Sequence, residues 1–180
     1  MVQRVLSKSK LEPLDISFSN LGDLSKANLV TYCDASVGKL NGTDTVVGTL
    51  SFVKGENGYL NVLEWQSQKL QIPSTSPLAG ECQAAMIAYG KIKSQRELMS
   101  HVLHRDDIGA KIITDSQSLK NALGTTNSVQ DSRTAIGIKA LRAIPEVENI
   151  DVVWARGENQ LADPLTKEGA SATKLTTDFI

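Results

Sequence analysis

The sequence has few of the residues that build common zinc and nucleophilic sites. It contains only 2 cysteines and 2 histidines among 180 residues. Cys33 and Cys82 show neither a CxxC spacing nor a nearby histidine, so we expect small buried residues rather than zinc ligands. His101 and His104 lie at the end of a predicted helix, where we expect surface residues. No serine–histidine–aspartate pattern is present.

The sequence also lacks a net charge of one sign and long apolar runs. Its 19 basic and 20 acidic residues give a net charge of −1, so charge alone predicts no tight nonspecific binding to nucleic acid. No signal-peptide-like segment opens the sequence and no apolar run approaches transmembrane length. We therefore expect a soluble protein that is not secreted. With 41% hydrophobic residues, the chain has the composition of one globular domain.

The pattern of apolar residues predicts the element order βββαβααβα. Strands are predicted where short apolar runs lie between turn signals, at 28–35, 45–53, 59–66, 110–115 and 150–155. Helical spacing predicts helices at 77–102, 116–124 and 131–144, and a last short helical piece at 161–167. Three strands joined by short turns and then β–α alternation predict an α/β fold with a mixed five-stranded sheet flanked by helices.

The domain is predicted to span residues 28–168. Residues 1–27 are polar and irregular, and we interpret them as a linker or an arm on the domain surface. Residues 169–180 are predicted to form a C-terminal tail. No internal repeat or low-complexity segment interrupts this organisation.

Four acidic residues lie in separate and distinctive settings. Asp34 lies in LVTYCDAS, Glu81 in STSPLAGECQAA, Asp115 in AKIITDSQSLKNAL and Asp163 in ENQLADPLTK. Carboxylates presented from neighbouring elements can meet, and such a cluster repels itself unless a cation fills it. Because Mg²⁺ and Mn²⁺ prefer oxygen ligands, these acids predict a divalent-metal site. Each acid alone also has an ordinary alternative as a turn former, a helix cap or a first-turn acid.

The element order and the motifs around these acids resemble the type 1 ribonucleases H. TDSQ at 114–117 is similar to the fourth-strand motif of that family, and AGE at 79–81 to its helix-borne glutamate motif. LADPLTK at 161–167 resembles the signature that closes the ribonuclease H domain of copia-type LTR retrotransposon polyproteins. YCDAS, EWQSQK and the SRT…I…LR stretch also resemble that domain. The resemblance covers residues 11–178.

The resemblance implies hydrolysis of the RNA strand of RNA–DNA hybrids with two Mg²⁺ ions, for which Mn²⁺ can substitute. It implies that Asp34 bridges both ions, that Asp163 completes the nucleophile-side ion, and that Glu81 and Asp115 hold the other. It further implies a covalently linked or associated reverse transcriptase polymerase domain as partner. We expect a monomer, located inside the cell in the cytoplasm, a virus-like particle or the nucleus.

The resemblance also indicates residues that contact the substrate, and these are Ala35, Ser36, Ser74, Thr75, Ser76, Ser116, Gln117, Arg133 and Arg156. Amides after the first aspartate are expected to meet phosphate. The Ser-Thr-Ser run is expected to meet the RNA backbone and its 2′-hydroxyls. For Arg133 and for Arg142, phosphate binding and a solvated helix face both stay open.

The loop before Asp163 departs from the family pattern. It reads WARGENQLAD and lacks the histidine that type 1 ribonucleases H usually carry there. Copia-type domains commonly lack it as well, so this departure does not indicate inactivity. Glu158 or Arg156 are the candidates for its role.

Two other classes of function compete with an active nuclease. One is a catalytically retired ribonuclease H-fold module that binds or scaffolds a ribonucleoprotein. Retired copies tend to lose a ligand, whereas this chain keeps all four acids. The other is a transposase or integrase of the same fold, which TDSQ and LADPLTK argue against.

Overall fold

A five-stranded sheet forms the centre of the protein in the computed structural model, which describes residues 17–38, 44–72, 74–126 and 129–167. The sheet order is β3-β2-β1-β4-β5, with strands β1 (Asn28–Val37), β2 (Thr45–Lys54), β3 (Leu60–Lys69), β4 (Ala110–Thr114) and β5 (Ile150–Trp154). The first three strands pair antiparallel, while β4 runs parallel to both β1 and β5. The predicted mixed sheet, an antiparallel meander followed by β–α alternation, is confirmed.

The α-helices that the structure describes are α1 (Pro77–Leu103), α2 (Gln117–Gly124) and α3 (Ser132–Glu148). A side-chain oxygen at each start accepts a hydrogen bond from a backbone amide that would otherwise lack a partner. The acceptors are Ser76 for α1, Ser116 for α2 and Asp131 for α3, at 3.2, 3.2 and 2.8 Å.

Two predicted helices differ in extent from the structure. The prediction ended α3 at residue 144, before Pro145, whereas the helix continues to Glu148. A proline removes one backbone donor, but Leu141 and Ile144 are buried and keep this end of α3 packed on the core. The last helical piece, predicted over 161–167, is a single 3₁₀ turn at Asp163–Leu165.

The core is divided between the two faces of the sheet, because successive side chains on a strand point to opposite sides. On β2, Val47 and Val53 belong to a large cluster that includes Ala85 of α1. Leu50 and Phe52 belong to a smaller cluster with Ala162. The segment after β5 therefore packs on the face that the large cluster leaves uncovered.

The described part of the N-terminal segment packs on the domain. Leu21 and Ala27 are buried in the large cluster, and a short 3₁₀ helix, Leu24–Lys26, lies between them. Residues 1–16 and 168–180 lie outside the described part of the chain, so the domain boundaries after residues 27 and 168 stay predictions. Within the described ranges, no helix is both long enough and apolar enough to cross a membrane.

Candidate metal centre

Three of the four predicted acids meet, although each comes from a different element. Asp34 is on β1, Glu81 is on α1 and Asp115 directly follows β4. One carboxylate oxygen from each lies within 4.8 Å of the other two. The parallel register of β1 and β4 pairs Tyr32 with Ile113. Two residues later the same register brings Asp34 of β1 beside Asp115, which follows β4.

Two glycines let neighbouring elements approach the sheet closely, α1 at β1 and the C-terminal segment at β2. A Cβ atom on Gly80, just before the helix-borne acid, would lie 2.7 Å from Val37 Cγ2. Gly48 pairs with Asp34 across β1 and β2, and a Cβ atom there would lie 2.7 Å from Leu165 Cβ. A Cβ atom on Gly48 would push the C-terminal segment away from the acids, and one on Gly80 would require Val37 or helix α1 to shift.

Burial raises the pKa of two of the three acids. The pKa of Glu81 rises from 4.5 to about 8, first because burial disfavours the charged form and then because Asp34 and Asp115 are close. Burial is also the main cause that raises the pKa of Asp34, against the effect of Thr166, whose hydroxyl donates to its carboxylate. A hydrogen bond from the Ala35 backbone lowers both pKa values. The cluster therefore resists full ionisation unless a cation balances it.

Asp163 lies next to this triad but outside it. Lys167 Nζ contacts both carboxylate oxygens of Asp163. The charge of Asp163 still reaches Asp34, whose pKa it raises. Thr166 connects the two acids, because its Oγ1 contacts the Asp34 carboxylate and lies 3.1 Å from the backbone oxygen of Asp163.

The ordinary alternatives do not describe the positions of Asp115 and Glu81, and Asp163 is not a helix cap. Ser116, and not Asp115, caps helix α2. Helix α1 has no acid in its first turn, so Glu81 is not placed there to favour the helix dipole. Ala162 is the N-cap residue of the last 3₁₀ turn, and the Asp163 side chain does not cap it. The carboxylates of Asp115 and Glu81 are therefore left for the cluster.

Gln160 is a site residue that sequence reasoning missed. Its side chain is buried, and its Nε2 lies 2.9 Å from the backbone oxygen of Cys33 and 3.5 Å from Asp115 Oδ1. Its Oε1 accepts a hydrogen bond from Ala162 N at 3.2 Å. Gln160 thus holds the segment that carries Asp163 against β1. The only signal for it in the sequence is its place in the ENQLAD motif, three residues before Asp163.

The residues predicted to contact substrate lie in different environments. The hydroxyl oxygens of Ser36 and Ser74 are buried and have no hydrogen-bond partner among the described residues. Ser76 and Ser116 act as helix caps. The Ala35 backbone hydrogen-bonds to the carboxylates of Asp34 and Glu81. The side chains open to solvent are those of Thr75, Gln117, Arg133 and Arg156. Substrate contact by these nine residues stays a prediction.

Arg142 has a structural role, whereas Arg156 in the loop before Asp163 is exposed. Arg142 Nη2 donates to the backbone oxygen of Ala122 at 2.5 Å and also to that of Thr125. Arg142 therefore secures the end of α2 rather than a phosphate. Arg156 and Glu158 are the candidates for the role of the missing histidine. Both are exposed, and Arg156 Nη1 lies 3.8 Å from Glu158 Oε1.

The cysteines and histidines lie where the sequence predicted. Cys33 and Cys82 are buried free cysteines, and burial raises the pKa of Cys82 to about 11, with the charge of Asp131 adding to it. His101 and His104 are exposed at the end of α1. Neither pair belongs to the acidic cluster, so the candidate site is built from oxygen ligands.

The donor set fits a hard divalent cation. All three clustered ligands are carboxylates, the type of ligand that Mg²⁺ and Mn²⁺ prefer. Glu81 Oε2 is buried and has no hydrogen-bond partner among the described residues. A buried carboxylate oxygen without a donor is costly, and a cation between the acids would supply the missing interaction.

No protein-family model and no curated protein matches this sequence, but solved structures do. Ribonuclease H1 LC11, isolated from compost by a metagenomic approach, matches with a TM-score of 0.56 at 17% identity, over 81% of this chain and 97% of that chain. The chain has the ribonuclease H fold. Ribonuclease H1 of Halobacterium salinarum NRC-1 matches with a TM-score of 0.52 at 15% identity, over 84% of this chain and 98% of that chain.

A viral domain of the ribonuclease H fold matches as well. The PFV RNase H domain has a TM-score of 0.53 at 18% identity, over 83% of this chain and 98% of that chain. The fold class predicted from the sequence is therefore confirmed, across cellular and viral members of the ribonuclease H fold. The coverage also shows that nearly the whole of each such domain has a counterpart here.

Proposed function

We propose that this protein is a metal-dependent endonuclease that hydrolyses the RNA strand of RNA–DNA hybrids. The observation that carries this proposal is the meeting of Asp34, Glu81 and Asp115, whose ligand oxygens lie within 4.8 Å of one another. The ribonuclease H fold supports it, since one neighbour of this fold, LC11 ribonuclease H1, is solved in complex with an RNA/DNA hybrid. Four acids retained in one chain favour activity over a retired binding module.

Different residues would hold the metal ions and orient the ligands. Asp34, Glu81 and Asp115 would hold Mg²⁺, and Asp163 would complete the ligand set. Thr166 fixes the orientation of Asp34 by donating to its carboxylate. Two divalent cations bound by such carboxylates would supply an activated water and stabilise the charge that develops on the leaving oxygen.

The substrate side of the proposal rests on the segments that flank the cluster. Thr75 is exposed just before α1, and Gln117 is exposed at the start of α2. A hydroxyl or amide at these positions would distinguish RNA from DNA through the 2′-hydroxyl. Because the net charge of the chain is −1, affinity for hybrid should be weak without further binding surface.

We further propose that the protein serves the reverse transcription of a copia-type retrotransposon. The sequence LADPLTK and the neighbouring YCDAS and EWQSQK motifs support this origin. A polymerase domain, linked or associated, would then supply the binding surface that this chain lacks. A location inside the cell follows from the same proposal.

The experiment is a cleavage assay with the full chain and four labelled substrates in low salt. The substrates are a hybrid labelled on its RNA strand, the same hybrid labelled on its DNA strand, duplex RNA and duplex DNA. We expect cleavage of the RNA strand of the hybrid alone, in Mg²⁺ and not in EDTA. A protein that cleaves DNA, or that binds hybrid without cleaving it at any concentration, contradicts the proposal, and the second result favours the retired module.

A further inference from the structure

Lys167 places a positive charge beside the acidic cluster, at Asp163. Its Nζ contacts both carboxylate oxygens of Asp163, four residues earlier. The bond to Asp163 is the main cause that raises the pKa of Lys167, and the charges of Asp34 and Asp115 add to it. Lys167 therefore interacts electrostatically with three of the four predicted acids. Its direct contact is with Asp163, the acid that the triad does not include.

We propose that Lys167 is an internal counter-cation that occupies the Asp163 carboxylate and must be displaced before a divalent cation can use it. The cluster then binds its cations in sequence. The first enters the triad of Asp34, Glu81 and Asp115, and the second binds more weakly because it competes with the lysine at Asp163. This inference rests on the proposed function.

The geometry permits such an exchange. The Lys167 side chain is 50% exposed, so its ammonium can turn into water without opening the core. Thr166, the next residue, is buried and anchored on Asp34, so the backbone beside Lys167 stays in place when the lysine leaves. Displacement therefore breaks one ion pair whose lysine is half exposed, and no contact of the core.

A purely structural ion pair makes the opposite prediction. If Lys167 only holds Asp163 in position, removing the lysine disorders a ligand and weakens cation binding. If Lys167 competes for Asp163, removing it frees a ligand and strengthens binding of the weaker cation. The sign of the change in affinity therefore separates the two roles.

The test is a titration of the metal-free full chain with Mn²⁺ alone, with free Mn²⁺ measured by its electron paramagnetic resonance signal. Lys167→Met removes the charge, and Lys167→Arg keeps it. Lys26→Met is the control for the loss of a lysine charge, because Lys26 forms an ion pair with Glu56 away from the cluster. We expect two classes of bound Mn²⁺ in the wild type.

The expected result is a tightening of the weaker class by about twofold to fivefold in Lys167→Met, the scale of a solvent-accessible ion pair. The tighter class should change less, since Lys167 acts on the triad only through its charge, and Lys167→Arg and Lys26→Met should match the wild type. An unchanged or weakened second class in Lys167→Met overturns the role of Lys167 and leaves the metal centre standing. A wild type that binds no Mn²⁺ overturns both proposals.

Discussion

Replacing Glu81 by glutamine should stabilise the metal-free protein above neutral pH. The pKa of Glu81 is about 8 in the folded protein and 4.5 in its ordinary state. Between these two pH values the folded state keeps a proton that the unfolded state has released. The stability contributed by Glu81 is therefore complete below about pH 4.5 and is lost as the pH rises toward 8. Glu81→Gln cannot ionise and should not show this loss.

The expected size of the effect follows from the same pKa values. At about 1.4 kcal/mol for each pH unit between them, ionising Glu81 costs the fold roughly 3–5 kcal/mol above pH 8. The glutamine amide leaves one buried polar atom without a partner, which costs about 1–2 kcal/mol. The net gain of roughly 1–4 kcal/mol corresponds to a rise in melting temperature of roughly 2–16 °C for a domain of this size.

The assay is thermal unfolding followed by circular dichroism in EDTA, at pH values from 5 to 8.5. The difference in melting temperature between Glu81→Gln and wild type should increase as the pH rises. Mg²⁺ should remove this difference by stabilising the wild type alone. Glu158→Gln is the control, since this exposed side chain should change nothing. A Glu81→Gln variant that is less stable than wild type at pH 8.5, or a difference independent of pH, would refute the reasoning.

Three further substitutions test the surroundings of the cluster. Thr166→Val removes the hydroxyl that orients Asp34 and should slow hybrid cleavage about tenfold to a hundredfold, whereas Thr166→Ser should restore the rate. Gly48→Ala should cost about 1–3 kcal/mol in denaturant unfolding because its Cβ atom would overlap the C-terminal segment. Gly90→Ala, inside helix α1 with open space around it, should instead stabilise by about 0.5–1 kcal/mol. Arg142→Met should lower stability by about 1–3 kcal/mol and leave the KM for hybrid unchanged.

The sheet and the triad could be predicted because their signals are local. Strands β1 and β4 each appear as an apolar run that ends near an aspartate, and parallel neighbours bring such ends together. Ser76 and Pro77 mark the start of helix α1 in the sequence, and Glu81 follows one turn later. Each of these inferences needs only a few consecutive residues and the period of the element.

The C-terminal half of the site could not be predicted in the same way. Gln160 and Lys167 reach the acids only because their segment crosses the sheet over Gly48, and no local period reports that crossing. The sequence left both phosphate binding and a solvated position open for Arg142. The contacts that decide between them, to Ala122 and Thr125 at the end of α2, are 20 and 17 residues away in sequence. Contacts of this kind depend on tertiary packing, which a single sequence does not display.

Cleavage by the wild type and by Asp34→Asn, purified and assayed side by side, decides whether the four acids form a catalytic metal centre. Asp34 is the buried member of the triad, and the amide keeps its shape while removing its charge. With a hybrid labelled on its RNA strand and Mg²⁺ present, the wild type should cleave and folded Asp34→Asn should not. Undiminished cleavage by Asp34→Asn would contradict the metal centre and the function proposed for it.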